Sequence, residues 1–470
     1  MKTVYLDKNI YSYFLQDNMD SLYKELHDNL VNNSSKYLVL YSYAHIEDLL
    51  QSKVHEKNMK DLEMMESIAH KNYIYYDNEA KKIGAEYYSP KEIYDCQEDI
   101  MPLIDHLINC GSIDSLISEN LRSSIEKLKV EWNNSNTASN IDETSKKLIE
   151  KIFPMNMGEL SVNDILKETY KGLRAFTEDN KVYRGFRANN INNFNKGQFD
   201  IDPSTYTLTK DLSSTFLGKD LLELAFNSVK EQGDGNVYRF DLHITAYILL
   251  DMFGFNRDKE VKTNNLFVDA KHSYYGAHLD YVVSNDYGFI IKSRALYKLL
   301  DVNTKVLFPY EFAEEINKQL QSEQTDKYQF INRILSLSNE LPIAEEYIQE
   351  DIPEQKVTVY DCNENFFYYF DSLIKISNPQ SFNFILSKSF NRYQENRIFT
   401  EIIEKIVFKC IEIFGSDMEN KGVLDIKKEH ELLNNGEEYI IRLWQFDSKG
   451  IILKMSNRRI FMQIIPGDND

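Results

Sequence analysis

The chain has 470 residues, of which 42% are hydrophobic, so it is long enough for two or three domains and apolar enough to bury their cores. Its 74 acidic residues against 54 lysines and arginines give a formal net charge of -20, which repels nucleic acid at long range and argues against a general DNA-coating protein. Four isolated cysteines without a CxxC pair disfavour a zinc site and a disulfide framework.

The N-terminal part of the chain alternates between short apolar strands and helices. Strands are predicted at Thr3–Leu6, Tyr37–Tyr41 and Lys71–Tyr76. A helix is expected from Ile10, and Ser42 is a typical N-cap for the helix after the second strand. This alternation favours an α/β fold with a parallel sheet.

Residues 78–234 have a different character and predict a mostly helical insertion. Its predicted helices are Ile100–Asn109, Ile113–Val130, Thr144–Ile152 and Val162–Thr177. The segment 181–196, KVYRGFRANNINNFNK, interleaves basic with aromatic residues, a pattern that suits single-stranded nucleic acid. Arg184 and Arg187 are therefore the candidate substrate-binding residues, and a solvated loop is the alternative interpretation.

The α/β pattern resumes after the turn at 233–235. An apolar helix is predicted at Leu242–Phe255, then a strand at Tyr281–Ser284, a helix at Phe289–Leu300 and a strand at Lys305–Phe308. Residues 1–77 and 235–310 are thus expected to form one split catalytic domain with an open, mostly parallel sheet flanked by helices.

Residues 311–470 predict a C-terminal α+β domain whose role the sequence does not indicate. An amphipathic helix is expected at Arg397–Phe414 with Gly415 as its C-cap. An antiparallel meander follows, with strands at Tyr439–Phe446, Ile451–Met455 and Ile460–Ile465. A protein partner or self-association through this domain is one expectation.

Several acids follow the predicted strands. Ligands of an open parallel sheet bind beyond the carboxyl ends of its strands. Asp7 directly follows the first strand and Asp286 closely follows the strand at Tyr281–Ser284, so both are expected to face that crevice. Glu47 lies about one and a half turns into the helix after the second strand, and it is preferred to Asp48, which points about 100° away around that helix.

Asp269 is expected to open a helix, with His272 on the same face at i+3. Carboxylates in one crevice repel unless cations neutralise them, and an all-oxygen set favours Mg²⁺ or Mn²⁺. His272 is expected to support the site and not to bind metal, while Asn9 and Ser284 orient a ligand by hydrogen bonding. Each acid also has a structural alternative, as a helix cap or a turn residue.

Three stretches resemble the motifs of PIN-like nuclease domains. VYLDKNIYSYF resembles the opening strand with its acid, Asp7; YSYAHIEDLL resembles the second acidic motif, with Glu47 in the acidic position. VDAKHSYYGAHLDYVVSNDYGF resembles the third and fourth motifs, with Asp269 and Asp286. The resemblance covers about the first 310 residues without the middle, and it implies a metal-dependent nuclease that acts most often on RNA.

The expected function is therefore a cytoplasmic endoribonuclease in which Asp7, Glu47, Asp269 and Asp286 hold Mg²⁺ or Mn²⁺ and orient an attacking water. Two alternatives remain open: a degenerate scaffold that binds RNA or protein without cutting, and a structure-specific DNA endonuclease. No P-loop, GxGxxG, HExxH or GxSxG motif is present, and no apolar run approaches the ~20 residues of a membrane span.

Overall fold

A computed structural model describes the fold over most of the chain outside residues 97–198. The described residues are 1–52, 54–96, 187, 199–210, 212–214, 219–232, 236–255, 263–321, 323, 326–349, 354–362, 364–389, 400–425, 428–429, 438–457 and 459–466. The four helices predicted between Ile100 and Thr177, and Arg184, lie outside these residues. No helix in the described ranges is both long enough and apolar enough to span a bilayer.

The first sheet has six strands in the order β4-β3-β2-β1-β5-β6. The strands are β1 (Lys2–Leu6), β2 (Tyr37–Ser42), β3 (Asn72–Asp77), β4 (Lys82–Tyr87), β5 (Tyr281–Val283) and β6 (Lys305–Leu307). All neighbouring pairs are parallel except β3 with β4, which is antiparallel. The prediction of a mostly parallel α/β sheet is confirmed, and β4 adds an edge strand from the segment predicted as a helical insertion.

Helices cover both faces of this sheet. They are α1 (Lys8–Phe14), α2 (Ser21–Asn32), α3 (Tyr43–Leu50), α4 (His55–Ala69), α5 (Pro90–Asp95), α6 (Leu221–Gln232), α7 (Arg239–Met252), α8 (Thr263–Gly276), α9 (Tyr287–Leu299) and α10 (Pro309–Gln321). Alternate residues of β1 enter different cores: Val4 and Leu6 pack with α1, α2, α4 and α10, while Tyr5 packs with α7, α8 and α9. This alternation follows from the two-residue period of a strand.

Close packing of α8 on β5 places the residues of that helix beside the central strands. Gly276 makes this approach possible, because a Cβ at this position would lie 2.3 Å from Cγ2 of Val282. The predicted N-cap at Ser42 is confirmed, since its hydroxyl accepts a hydrogen bond from the Ala44 amide at 3.2 Å. Both contacts fix helices that carry candidate site residues.

A second sheet has seven antiparallel strands in the order β11-β12-β13-β10-β9-β8-β7. Its strands are β7 (Ile343–Ile348), β8 (Lys356–Tyr360), β9 (Ser372–Ser377), β10 (Phe382–Ser387), β11 (Tyr439–Phe446), β12 (Lys449–Ser456) and β13 (Arg459–Ile465), with helices α11 (Lys327–Glu340) and α12 (Thr400–Phe414). The rings of Phe330 and Trp444 both contact Phe414, at 5.4 and 5.5 Å between centroids. The C-terminal helix and meander are confirmed, whereas β7 to β10 were not predicted.

Ion pairs join the two sheets at the amino end of the parallel strands. Lys2 Nζ lies 3.0 Å from Asp371 Oδ2, and Lys388 Nζ lies 2.7 Å from Asp280 Oδ1. Asp280 immediately precedes β5, at the opposite end of the strand from Asp286. The second sheet is therefore fastened to the end of the first sheet that is remote from the predicted crevice.

Candidate metal centre

Three side chains from three elements converge at the carboxyl end of the parallel strands. Asp7 follows β1, Asp48 lies on α3 and His272 lies on α8. One ligand atom from each lies within 4.8 Å of the other two. We call these three residues the acidic cluster. Within it, His272 Nε2 lies 3.0 Å from Asp48 Oδ2, which is hydrogen-bonding distance.

Asp7 is held by two polar neighbours and is only 9% exposed. Its Oδ2 accepts hydrogen bonds from Asn9 Nδ2 and from Ser284 Oγ, both at 2.6 Å. Asp7 occupies the N-cap position of α1 but makes no side-chain capping bond. The geometry therefore matches the supporting contacts expected of Asn9 and Ser284, and the helix-capping alternative for Asp7 is not observed.

The electrostatic environment opposes ionisation of Asp7. Burial raises the pKa of this carboxyl, and the charges of Asp48 and Asp286 raise it further. His272 and the Ser284 hydroxyl lower it, but the net pKa remains above the usual value of 3.8. An additional positive charge near Asp7 would therefore stabilise the ionised form of its carboxyl group.

The expectation that Glu47 faces the crevice is corrected by the structure, which places Asp48 there. Lys271 Nζ lies 2.5 and 2.7 Å from the two Glu47 carboxylate oxygens, so Glu47 forms an ion pair beside the acidic cluster. The reason is the rotation of α3: His45 is fully buried against the end of β1, and Asp48 is on the same helical face at i+3.

His272 is part of the acidic cluster and not merely beside it. It is 1% exposed, and its Nδ1 lies 2.7 Å from the Tyr5 hydroxyl, which fixes the ring with Nε2 toward Asp48. Burial disfavours the imidazolium form, but the hydrogen bond and charge of Asp48, together with Asp7 and Asp269, raise its pKa overall.

A buried hydrogen-bonded group continues behind His272. The Tyr5 hydroxyl is 2.6 Å from Ser42 Oγ, and His45 Nδ1 accepts a bond from the Ser42 amide at 3.0 Å. His45 Nε2 therefore carries the proton and donates a hydrogen bond to the Leu6 carbonyl at 2.7 Å. Burial and the neighbouring His272 lower the pKa of His45 to about 3, so this ring stays neutral. Sequence reasoning missed Tyr5, which looks like an ordinary strand residue.

Asp269 and Asp286 lie around the acidic cluster and not within it. Asp269 was expected to open a helix, but α8 begins at Thr263 and Asp269 is in its middle, one turn before His272. Burial raises the pKa of Asp269 well above 3.8, and Asp7, Asp286 and Asp48 add to this effect against the opposing charge of Lys292. The charge of Asp269 therefore interacts with the charges of Asp7 and Asp48, although Asp269 is not among the residues whose ligand atoms lie within 4.8 Å of one another.

Asp286 has the structural role that was its alternative. It is the N-cap of α9, and its Oδ1 accepts a hydrogen bond from the Phe289 amide at 2.9 Å. The residue is exposed, and its own amide donates to Ser284 Oγ at 3.0 Å. Although Asp286 caps α9, its charge still helps to raise the pKa of Asp7.

Arg187, the described member of the two predicted substrate contacts, is directed inward. It is 7% exposed, and its Nη1 lies 3.6 Å from Oδ2 of the fully buried Asp251. Lys292 Nζ contacts the other Asp251 oxygen at 3.2 Å. A guanidinium buried in this way belongs to an internal ion network, so the structure does not support substrate contact by Arg187.

The acidic cluster combines carboxylate oxygens with one imidazole nitrogen. Oxygen ligands suit Mg²⁺ and Mn²⁺, and an imidazole is a softer ligand that favours Mn²⁺ over Mg²⁺. A bound cation would stabilise the ionised forms of Asp7 and Asp269 and so lower their raised pKa values.

Comparison of the chain with protein-family models, with curated proteins and with solved structures finds no match.

Proposed function

We propose that this protein is a metal-dependent, PIN-like nuclease that hydrolyses phosphodiester bonds in RNA. The observation that carries the proposal is the convergence of Asp7, Asp48 and His272 within 4.8 Å at the carboxyl end of a parallel sheet. Ligands bind at this edge in open α/β sheets. Burial and neighbouring carboxylates raise the pKa values of Asp7 and Asp269 there, and such perturbed acids are a typical signature of a functional site.

Asp7, Asp48 and His272 are the residues that would hold Mn²⁺ or Mg²⁺. A bound divalent ion lowers the pKa of a water molecule and polarises a phosphoryl oxygen. The protein's own part is to keep the ligand atoms in place. Asn9 and Ser284 fix the Asp7 carboxylate, and Tyr5 fixes the His272 ring from behind.

Asp269 and Asp286 complete the negative potential around the acidic cluster. The charge of Asp286 acts on Asp7 and Asp269, and the charge of Asp269 acts on His272, although neither carboxylate is within the 4.8 Å group. They are suited to orient an attacking water or to add ligands for a second ion. A bound cation would also reduce the repulsion between this edge and an anionic strand, on a chain whose formal net charge is -20.

The test is cleavage of labelled RNA and of DNA of the same sequence by the full chain, with Mn²⁺, with Mg²⁺ and with chelator. We expect RNA cleavage that needs metal and is lost in Asp7→Asn and Asp48→Asn. Glu63→Gln, at an exposed position of α4, is the matched control and should cleave as the wild type does. Cleavage that survives chelator or both substitutions would refute the mechanism.

Two other outcomes identify the alternatives. Cleavage of DNA with RNA left intact would favour the structure-specific DNA endonuclease. Binding of RNA without cleavage at any metal concentration would favour the non-cutting scaffold.

A further inference from the structure

Three aromatic side chains lie at the same edge of the sheet as the acidic cluster. Tyr287 directly follows Asp286, Phe308 directly follows β6, and Tyr310 is in the first turn of α10. The Tyr287 and Phe308 rings are 6.3 Å apart at 27°, and the Phe308 and Tyr310 rings are 5.7 Å apart at 12°. These near-parallel rings form one row, which we call the aromatic row.

The two ends of the aromatic row are open to solvent. Tyr287 is 55% exposed and Tyr310 is 52% exposed, although large aromatic rings are usually buried for most of their area. Exposed aromatic groups that cluster beside a candidate site are typical of a binding surface. The row begins at the residue after Asp286, whose charge acts on Asp7.

Contacts from beneath hold the aromatic row in place. The Arg294 guanidinium carbon lies 5.7 Å from the centre of the Phe308 ring, and Arg294 Nε donates to the Val306 carbonyl at 2.7 Å. Glu311 accepts a hydrogen bond from the Phe308 amide at 2.7 Å and pairs with Arg294. Because the backbone and the central ring are fixed before a ligand arrives, binding costs less conformational entropy.

We infer that the aromatic row is a stacking subsite for unpaired bases of the nucleic-acid strand that is cut. This inference rests on the proposed nuclease function and names the form of its substrate. Bases stack on aromatic side chains for about 1–3 kcal/mol each and with little sequence preference. In a duplex the base faces are already covered by their neighbours, so the aromatic row selects single strands, loops or bulges.

The position of the aromatic row favours a nucleic acid over a protein partner. A strand whose bases lie on Tyr287 has its sugar-phosphate chain next to Asp286 and the acidic cluster, where cleavage is proposed. A protein contact is the competing outcome of the test below.

The test is equilibrium binding of a short fluorescent oligoribonucleotide to the full chain in chelator, so that cleavage does not enter the measurement. We expect Tyr287→Ala and Tyr310→Ala each to weaken binding by about 5-fold or more. Tyr287→Trp and Tyr310→Trp should keep the affinity, since they keep an aromatic face. Tyr328→Ala is the matched control, because Tyr328 is 49% exposed but lies on α11 beside the second sheet.

An abasic strand of the same length separates stacking from charge. It should bind the wild type and Tyr287→Ala equally, as should a blunt duplex. Thermal unfolding of each variant checks that the fold is retained.

Unchanged oligonucleotide affinity in both alanine variants would overturn the inference and leave the aromatic row as a protein-contact surface. Failure of the wild-type chain to bind single strands would overturn it too, even where metal-dependent cleavage is found. Conversely, loss of binding in the alanine variants together with no cleavage by the wild type would keep the subsite and remove the nuclease.

Discussion

The two ends of the parallel sheet each bury an aspartate, yet they treat its charge in opposite ways. At the amino end, Asp280 accepts hydrogen bonds from Thr3 and lies 2.7 Å from Lys388 Nζ, and its pKa is lowered despite burial. At the carboxyl end, Asp7 is 9% exposed, but its neighbours include Asp48 and Asp286, and its pKa is raised.

The opposite pKa shifts of Asp7 and Asp280 show that burial alone does not distinguish a functional acid from a structural one. Burial raises the pKa of both carboxyls, and the supply of positive charge decides the sign of the result. The protein supplies lysines at the amino end, where the two sheets are joined. Among the described residues, His272 is the one group in the acidic cluster that can carry a positive charge, so the proposed function needs a cation from solution at the carboxyl end.

The largest expected effect is the loss of cleavage on neutralising the acidic cluster. Asp7→Asn and Asp48→Asn should each lower metal-dependent cleavage by more than about 100-fold, because each removes a proposed ligand. In chelator, Asp7→Asn should be as stable as the wild type or more stable, since the raised pKa of Asp7 means that its charge is disfavoured in the folded state. Cleavage rates measure the first effect, and thermal unfolding of the same preparations measures the second. A large loss of stability in Asp7→Asn would show that this acid has a structural role.

At the other end of the sheet, Asp280→Asn should act on stability and not on chemistry. Removing one partner of a buried ion pair typically costs about 3–5 kcal/mol, and here it leaves Lys2 and Lys388 without this carboxylate. Denaturant unfolding measures the loss. Cleavage per folded molecule should stay at the wild-type level, and a selective loss of cleavage would contradict the division between the two ends.

The two ends should also differ in their response to pH. Because the folded-state pKa of Asp7 is raised, its contribution to stability is present in acid and is lost as pH rises through that pKa. The pKa of Asp280 is lowered, so its contribution is present above the ordinary value of 3.8 and is lost as pH falls toward the folded-state pKa.

Thermal unfolding in chelator, from acid to neutral pH, checks this contrast. The decline in the free energy of unfolding as pH rises above 3.8 should be smaller in Asp7→Asn than in the wild type. Identical pH profiles for the two proteins would contradict the raised pKa.

A smaller effect is expected from Tyr5→Phe, which keeps the ring and removes the hydroxyl that contacts His272 Nδ1 and Ser42. Loss of such a supporting contact typically costs about 10-fold or more in metal affinity or activity. Tyr11→Phe, a substitution at another buried tyrosine whose hydroxyl has no hydrogen bond among the described residues, is the matched control. Equal Mn²⁺ affinity in both variants would show that Tyr5 does not position the ligand.

The sequence predicted the elements that bring the site together, because apolar strands followed by acids are a local signal. Asp7 and Asp286 follow the carboxyl ends of β1 and β5, as predicted, but only Asp7 is in the acidic cluster. The choice between Glu47 and Asp48 could not be made from local spacing alone, since it depends on how α3 rotates when His45 is buried against Leu6. This rotation is a tertiary contact.

Other parts were out of reach for similar reasons. Strands β7 to β10 have short, mixed patterns that gave no clear two-residue period, and β7 is exposed along its whole length. The inward direction of Arg187 depends on Asp251, a buried acid inside an apolar helix far along the chain. The aromatic row unites the ends of two strands and the start of a helix, so no single stretch of sequence shows it.

Calorimetric titration of Mn²⁺ into the wild type, Asp48→Asn and Glu47→Gln tests whether the acidic cluster binds metal, because Asp48 is in the cluster and the neighbouring Glu47 is not. We expect the wild type and Glu47→Gln to bind Mn²⁺ with similar affinity and Asp48→Asn to bind it at least about 10-fold more weakly. No binding to the wild type, or binding that depends on Glu47 and not on Asp48, would contradict it.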